Sequence, residues 1–125
     1  MALPIVTISA TERLVVIRFS GAVDLRTFIE GREALRAEEG WSPGYAHVFD
    51  FTDITDIDLS RASIEALAAA PPVFDRAAPQ ILVARHGSFE FSLVRTFEAL
   101  AAGRRIVHVV GSMEEANELL ATLRA

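Results

Sequence analysis

The chain has 125 residues, about half of them hydrophobic, which is enough to build one domain around a single core. Its net charge is −5, so it lacks the concentrated positive charge with which proteins bind nucleic acids. It has no cysteine, which excludes disulfides, thiolate metal sites and a cysteine nucleophile. No apolar run approaches the roughly 18 to 20 residues of a membrane-spanning helix, and the first residues do not resemble a secretory signal. We therefore expect one cytoplasmic domain over residues 1–125, with neither nucleic acid nor membrane as a partner.

Strand and helix periods alternate along the chain after an opening pair of strands. The predicted elements are strands at 3–8 and 14–20, a helix at 24–38, a strand at 45–51, a helix at 60–70, a strand at 80–84, a helix at 88–102, a strand at 106–110 and a helix from 112 onward. This order, β-β-α-β-α-β-α-β-α, predicts an α/β fold with one mostly parallel or mixed five-stranded sheet and four helices that cover its faces.

Capping and turn residues mark the ends of these elements. Gly21 breaks the second strand, Asp24 is placed as an N-cap, and Pro71-Pro72 stop the second helix. Ser112 to Glu115 has the form of a capping box. The adjacent Arg104-Arg105 pair is expected to lie in a solvated turn. The residues expected to face the core are Leu25, Phe28, Ile29, Arg32 and Leu35 in the first helix, Leu93, Val94, Phe97, Leu100 and Ala101 in the third, and Ala116, Leu119, Leu120 and Leu123 in the last.

An aspartate-rich segment, Asp50 to Ser60, follows the third predicted strand and is expected to be a loop. It contains Asp50, Asp53, Asp56 and Asp58. Parallel sheets bind ligands beyond the carboxyl ends of their strands, so we expect function here. Carboxylates in this position can hold a metal ion, yet the segment lacks the glycine and glutamate of an EF-hand loop. Asp50 is itself expected to be structural, with hydrogen bonds from nearby N–H groups. One functional alternative is therefore a metal-dependent hydrolase that uses the Asp50–Asp58 cluster.

Two segments together resemble the STAS family, the domain of bacterial anti-sigma-factor antagonists and of sulphate-transporter tails. Phe19-Ser20-Gly21-Ala22-Val23-Asp24 is similar to the element before the family's first helix. Val48 to Ser60 resembles its second signature, a hydrophobic strand end with Asp and Ser/Thr followed by Asp-Ser/Thr-Ser-Gly. The segments Val94–Leu100, Ile106–Val109 and Ser112–Ala116 look like its final helix, strand and helix. The resemblance therefore covers nearly the whole chain.

The resemblance implies a non-enzymatic regulatory or protein-interaction module. In switching members of the family, a partner kinase phosphorylates the serine at the start of the second helix, and Ser60 matches that serine. A phosphate there would meet unpaired N–H groups and the positive end of a helix dipole. Leu59 and Arg61 depart from the pattern, which has Ser/Thr and Gly at these positions, and Ser60 alternatively only caps the helix. The implied partner-binding candidates are Asp24, Asp53, Asp56, Asp58, Arg61 and Ser63.

A second functional alternative is a binding site for a small apolar or lipid-like ligand under the second and third helices. Pro71-Pro72 motivate it, because a helix that ends early leaves a gap above the sheet. Phe74, Phe89, Phe91 and Phe97 either line such a pocket or pack in the core. We predict no cofactor, because no glycine-rich phosphate loop, metal-ligand histidine spacing or lysine occurs. The three histidines are assigned as follows: His47 and His108 to strands, and His86 to the acidic edge, where a His86–aspartate pair is the one acid–base candidate.

Overall fold

The computed structural model describes residues 3–124, which form a five-stranded sheet and four helices. The elements are β1 (Ile5–Ser9), β2 (Leu14–Asp24), α1 (Leu25–Arg36), β3 (Ala46–Asp58), α2 (Arg61–Ala69), β4 (Gln80–Val83), α3 (Phe89–Ala101), β5 (Val107–Val110) and α4 (Met113–Arg124). The predicted α/β class and element order are confirmed. No helix in this part of the chain has both the length and the apolar character needed to cross a bilayer.

The strands lie side by side in the order of the sequence, β1-β2-β3-β4-β5. β1 is antiparallel to β2, and β2 to β5 are parallel to one another. Parallel neighbours need crossover connections of one hand, so steady progress across the sheet places the crossover helices α1, α2 and α3 on one face. α4 covers the other face.

Two hydrophobic cores follow from this arrangement, one on each face of the sheet. The larger core joins residues such as Ile17 and Leu82 of the sheet to Leu35 of α1 and Val94 of α3. The smaller core joins alternate residues of the same strands to α4; its buried members are Ala46, Val48, Ile81, Val83, Ala116 and Leu120. The apolar residues on both faces explain why the central strands read as nearly continuous hydrophobic runs.

β2 and β3 are longer than the sequence predicted, and the expected loop over the aspartates is wrong. β2 continues through Gly21 to Asp24 and β3 continues to Asp58, with register shifts on either side of Gly21. Gly21 has φ +70, a conformation that glycine adopts without steric cost, so the strand continues through the register shifts. Within β3, only residues 47–50 pair with β4, so residues 20–24 and 53–58 project beyond β4 as a two-stranded ribbon.

The buried stripe of α1 also differs from the predicted one. Thr27, Gly31 and Leu35 are buried at a spacing of four residues, whereas Ile29 is 46% exposed. A Cβ at Gly31 would lie 3.2 Å from ring carbons of Phe19, so glycine lets the helix approach the sheet closely on this side. In α4, Leu123 is 43% exposed, so its predicted inward position is also wrong.

Asp50 is a structural carboxylate, as predicted. It is 2% exposed on the α4 side of the sheet, where its neighbours across the strands are Arg18 and Val83. Its Oδ1 accepts hydrogen bonds from the N–H and hydroxyl of Thr52 at 3.0 and 2.7 Å, and its Oδ2 is 3.3 Å from Arg18 Nε. These contacts balance the charge and satisfy both oxygens.

We expect Asp50→Ala to lower the free energy of unfolding by roughly 2–3 kcal/mol, because Thr52 N–H and Arg18 then lose their acceptor. Asp53→Ala, the same change at an exposed position of the same strand, should stay within about 0.5 kcal/mol of wild type. Urea unfolding curves measure both. Equal stabilities of the two variants would contradict a structural role for Asp50.

Candidate functional site

An apolar cavity of about 130 Å³ lies between the sheet and the three crossover helices. Ile17, Phe49 and Leu82 contribute to its lining from the sheet. Ile64 and Leu67 line it from α2, and the remaining walls come from α1, α3 and the segment that leads from α2 to β4. Ile57 and Leu59 also line the cavity, so it extends to the aspartate-rich end of β3.

The early end of α2 leaves this space open, as predicted from Pro71-Pro72. The helix ends at Ala69, and the chain continues through Pro71, Pro72 and Val73, all of which line the cavity. A proline has no N–H with which to continue a helix, so the region above this part of the sheet lacks another helical turn. Of the phenylalanines left open between a pocket and the core, Phe74 and Phe97 line the cavity and also pack in the larger core. Phe89 does not, because it is 63% exposed.

Polar side chains interrupt the apolar lining where β3 and β4 begin. His47 and Gln80 are register partners on these strands, and each is 4% exposed. The His47 ring stacks on Phe74, with centroids 3.7 Å apart, and its Nδ1 is 3.3 Å from the Tyr45 carbonyl oxygen. Burial lowers the pKa of His47 to about 4, with a smaller lowering from the charge of Arg105, although the Tyr45 carbonyl acts in the opposite direction. His47 is therefore a neutral cavity residue at neutral pH.

Arg105 lines the same part of the cavity and is half-buried, so the predicted solvated turn is wrong for this residue. Its terminal nitrogen donates to the Ala70 carbonyl at 2.9 Å and to the Ala68 carbonyl at 3.4 Å. Burial lowers the pKa of the guanidinium, and the positive charges of Arg32 and Arg104 lower it further. Sequence reasoning missed His47, Gln80 and Arg105 as site residues; their signal was a polar side chain within or beside an apolar strand.

The residues implied by the STAS resemblance lie along the β2–β3 ribbon and at the start of α2, and Asp24 and Asp58 form the tip of the ribbon. Asp24 and Asp58 are register partners there, and Asp53 and Asp56 are exposed on the same strand as Asp58. Asp24 caps α1: the Thr27 N–H donates to Asp24 Oδ1 at 3.0 Å, and the Asp24 N–H donates to Thr27 Oγ1 at 3.1 Å. The Thr27 N–H, followed by the Thr27 hydroxyl, lowers the pKa of Asp24. The tip is therefore acidic and includes a helix N-terminus.

Ser60 is exposed and caps α2, which confirms its predicted capping role. The Ser63 N–H donates to Ser60 Oγ at 3.1 Å, and the two hydroxyl oxygens are 3.0 Å apart. Arg61 is paired with Glu65, at 3.1 Å between Arg61 Nε and Glu65 Oε1, rather than with the aspartates. The predicted Ser60, Arg61 and Ser63 are thus neighbours on one exposed helix start, two residues beyond Asp58.

The aspartates of β3 do not form a metal-binding cluster. Asp50 is buried on the α4 side and bound to Arg18, whereas Asp53 and Asp58 are exposed. Within residues 3–124 no three histidine, aspartate or glutamate side chains converge in a way that could hold a metal ion. The geometry gives no basis for a hydrolase that uses Asp50, Asp53 and Asp58 together.

His86 lies beyond the end of β4 and contacts a glutamate rather than an aspartate. Its Nε2 is 3.3 Å from Glu115 Oε2, which also accepts the Gly111 N–H at 2.7 Å. The hydrogen bonds from His86 and then from Gly111 lower the pKa of Glu115. Ser112 Oγ accepts the Glu115 N–H at 3.1 Å, which is half of the predicted capping box. The pair is exposed and its contacts are those of a helix start.

Comparison of the chain with models of protein families, with curated proteins and with solved structures found no match. Its function is therefore inferred from the cavity and from the tip of the ribbon.

Burial of His47 predicts a specific loss of stability in acid. The folded-state pKa of about 4 lies below the ordinary value of 6.5, so the unfolded chain binds more protons between these pH values. Above about pH 6.5, His47 should therefore have no effect on the free energy of unfolding. As the pH falls from about 6.5 towards 4, His47 should lower that free energy, with a slope approaching about 1.4 kcal/mol per pH unit.

Urea unfolding of wild type and His47→Phe at several pH values between 4 and 7 measures this slope. Phenylalanine keeps an aromatic ring against Phe74 but does not titrate. Its curve should be flatter than that of wild type in this window. Identical slopes would show that His47 does not become protonated on unfolding.

Proposed function

We propose that the protein binds a small apolar molecule in the cavity between the sheet and α1, α2 and α3. The observation that carries the proposal is a space of about 130 Å³ lined mostly by hydrophobic side chains. Protein interiors leave few voids larger than a water molecule, and unfilled space lowers stability. Small-molecule sites combine such an apolar lining with a few placed polar groups, as His47, Gln80 and Arg105 are here. The proposed activity is binding, not catalysis.

The size of the cavity defines the class of ligand. Apolar cavities of about 150 Å³ accept benzene. A space of about 130 Å³ with an opening therefore suits one aromatic ring or a short alkyl chain. Larger lipids would need α2 or the segment after it to move.

Filling the cavity should abolish binding. We expect saturable binding of 1-octanol to wild type, followed by NMR shifts of the lining residues, and an affinity at least about tenfold weaker for Ala78→Leu. Ala78 is 5% exposed and lines the cavity, so leucine places an isopropyl group inside it. Ala77→Leu adds the same group one residue earlier at an exposed position and should keep wild-type affinity.

Native mass spectrometry of freshly purified protein adds an independent test, because a bound small molecule would appear as a defined mass increase. A wild-type protein that neither carries such a mass nor binds 1-octanol would contradict the proposed function. Equal binding by Ala78→Leu and Ala77→Leu would place the ligand elsewhere.

A second candidate function is a STAS-like switch at the start of α2, favoured by the pairing of the two STAS-like segments. Residues 20–24 of β2 and 53–58 of β3 are hydrogen-bonded neighbours, and Asp24 lies opposite Asp58. A phosphoryl group on Ser60 would add about −1.5 to −2 charges to this acidic tip and would weaken the docking of an acidic partner. The partner in this proposal is a kinase or an anti-sigma-like protein.

The switch predicts phosphorylation of Ser60 by a cognate kinase, mapped by mass spectrometry. Ser88 is the matched control, because it caps α3 through the same 3.1 Å hydrogen bond, from the Phe91 N–H, and should remain unmodified. Ser60→Ala and Ser88→Ala should each cost about 1 kcal/mol of stability, whereas Ser60→Asp should retain the cap and weaken partner binding. The switch is wrong if Ser60 is never modified and Ser60→Asp changes no partner interaction.

A further inference from the structure

Two hydrogen-bonding atoms at the polar end of the cavity have no partner. Gln80 Oε1 and Arg105 Nε are both shielded from solvent, and neither makes a hydrogen bond. The third such atom among residues 3–124 is Nε2 of His108, which is the register partner of Ile81 and belongs to the α4 side of the sheet. Buried polar atoms are almost always satisfied, so two orphans in one cavity point to a group that binds there.

The main chain brings these two residues to the same end of the cavity. The Gln80 N–H donates to the carbonyl oxygen of Ile106 at 3.0 Å, and Ile106 directly follows Arg105. Both side chains line the cavity. A guanidinium and a carboxamide are therefore available together at the end of the cavity where β3 and β4 begin.

The charge of Arg105 has no counter-ion within the described residues. None of the ion pairs between residues 3 and 124 includes it, and its terminal nitrogen donates to neutral carbonyl groups, those of Ala68 and Ala70. Burial and the neighbouring Arg32 and Arg104 disfavour its charged form, as the lowered pKa indicates. A half-buried cation in such surroundings gains more from an anion than an exposed arginine does.

Building on the proposed binding function, we propose that the ligand is a small amphipathic carboxylate, with its apolar body in the cavity and its carboxylate group on Arg105 and Gln80. Arg105 Nε–H supplies one donor. The Gln80 carboxamide supplies a second when rotation exchanges its oxygen and its NH₂ group. Charge-assisted hydrogen bonds of this kind are stronger than those between neutral groups. They would give Arg105 Nε–H an acceptor and the rotated Gln80 NH₂ group a partner in the cavity.

The surface outside the cavity suits the approach of an anion. A second, more open depression shares Ala70, Pro71, Pro72 and Arg105 with the cavity and is also lined by Arg76 and Arg104. Three arginines, Arg76, Arg104 and Arg105, thus line a depression beside the cavity in a chain whose net charge is −5. Local positive charge of this kind raises the concentration of anions at an entrance and repels cations.

Three molecules with the same tail test the head group: octanoate, 1-octanol and octylammonium, titrated at neutral pH into the full chain and followed by NMR. We expect wild type to bind octanoate about tenfold more tightly than 1-octanol and octylammonium most weakly. Arg105→Met should lose the preference for octanoate over 1-octanol. Arg95→Met removes an exposed guanidinium of α3 that lines neither the cavity nor the depression, and it should retain that preference.

The wild-type series needs no variant, so it decides the proposal even if Arg105→Met proves unstable after losing its contacts with the end of α2. Tighter binding of 1-octanol than of octanoate would overturn the carboxylate assignment and leave the apolar binding function in place. Failure of all three molecules to bind would overturn both. An equal loss of preference in Arg95→Met and Arg105→Met would show that overall charge, rather than the buried guanidinium, selects the ligand.

Discussion

The site depends on how the carbonyl groups at the end of α2 find hydrogen-bond donors. Pro71 and Pro72 have no N–H, so these carbonyls cannot be satisfied by a continuing helix. Arg32 from α1 donates to the Pro71 carbonyl, and Arg105 before β5 donates to the Ala70 carbonyl, both at 2.9 Å. Two guanidiniums from distant parts of the chain therefore fix the point where the chain leaves α2. The cavity and the position of Arg105 beside it both depend on this one termination.

Charged side chains beside the helix termini give the molecule two chemically different ends. The crossover helices run in one direction, so the starts of α1 and α2 meet at the tip of the ribbon, beside Asp24 and Asp58. The ends of α2 and α3 meet at the arginines, where Arg76 donates to the Gly103 and Arg104 carbonyls at 2.7 Å each. Acidic groups beside helix starts and basic groups beside helix ends both complement the helix dipoles. The two candidate functions use these opposite ends.

The fold could be predicted from the sequence because each strand and each helix carries its own apolar period. The ends of β2 and β3 could not, because glycine and aspartate are turn residues by composition. Only pairing across the ribbon shows that Ile54 and Ile57 belong to one strand, with Thr55 as an extra residue where Gly21 pairs with Ile54 and Ala22 pairs with Asp56.

For the candidate site, too, the features set by one segment could be predicted, and those set by contacts between distant segments could not. The gap after α2 was predictable from Pro71-Pro72, which act within their own segment. Its polar end was not, because Gln80 and Arg105 are 25 positions apart and meet only through the pairing of β4 with β5. An arginine pair is in most sequences a solvated turn, and nothing local distinguishes the half-buried Arg105 from the exposed Arg104.

The unequal covering of the two faces also determines the order in which the protein can fold during synthesis. Three crossover helices enclose the larger core, and all of them precede β5 along the chain. The smaller core has a single cover, α4, whose Ala116 and Leu120 pack on Val48 and Ile81. That face of the sheet therefore stays bare on the ribosome until residues 113–124 have emerged. A nascent chain in which the cavity has already formed still exposes the hydrophobic α4 face of the sheet. Chaperones that bind exposed hydrophobic surfaces would act on this face.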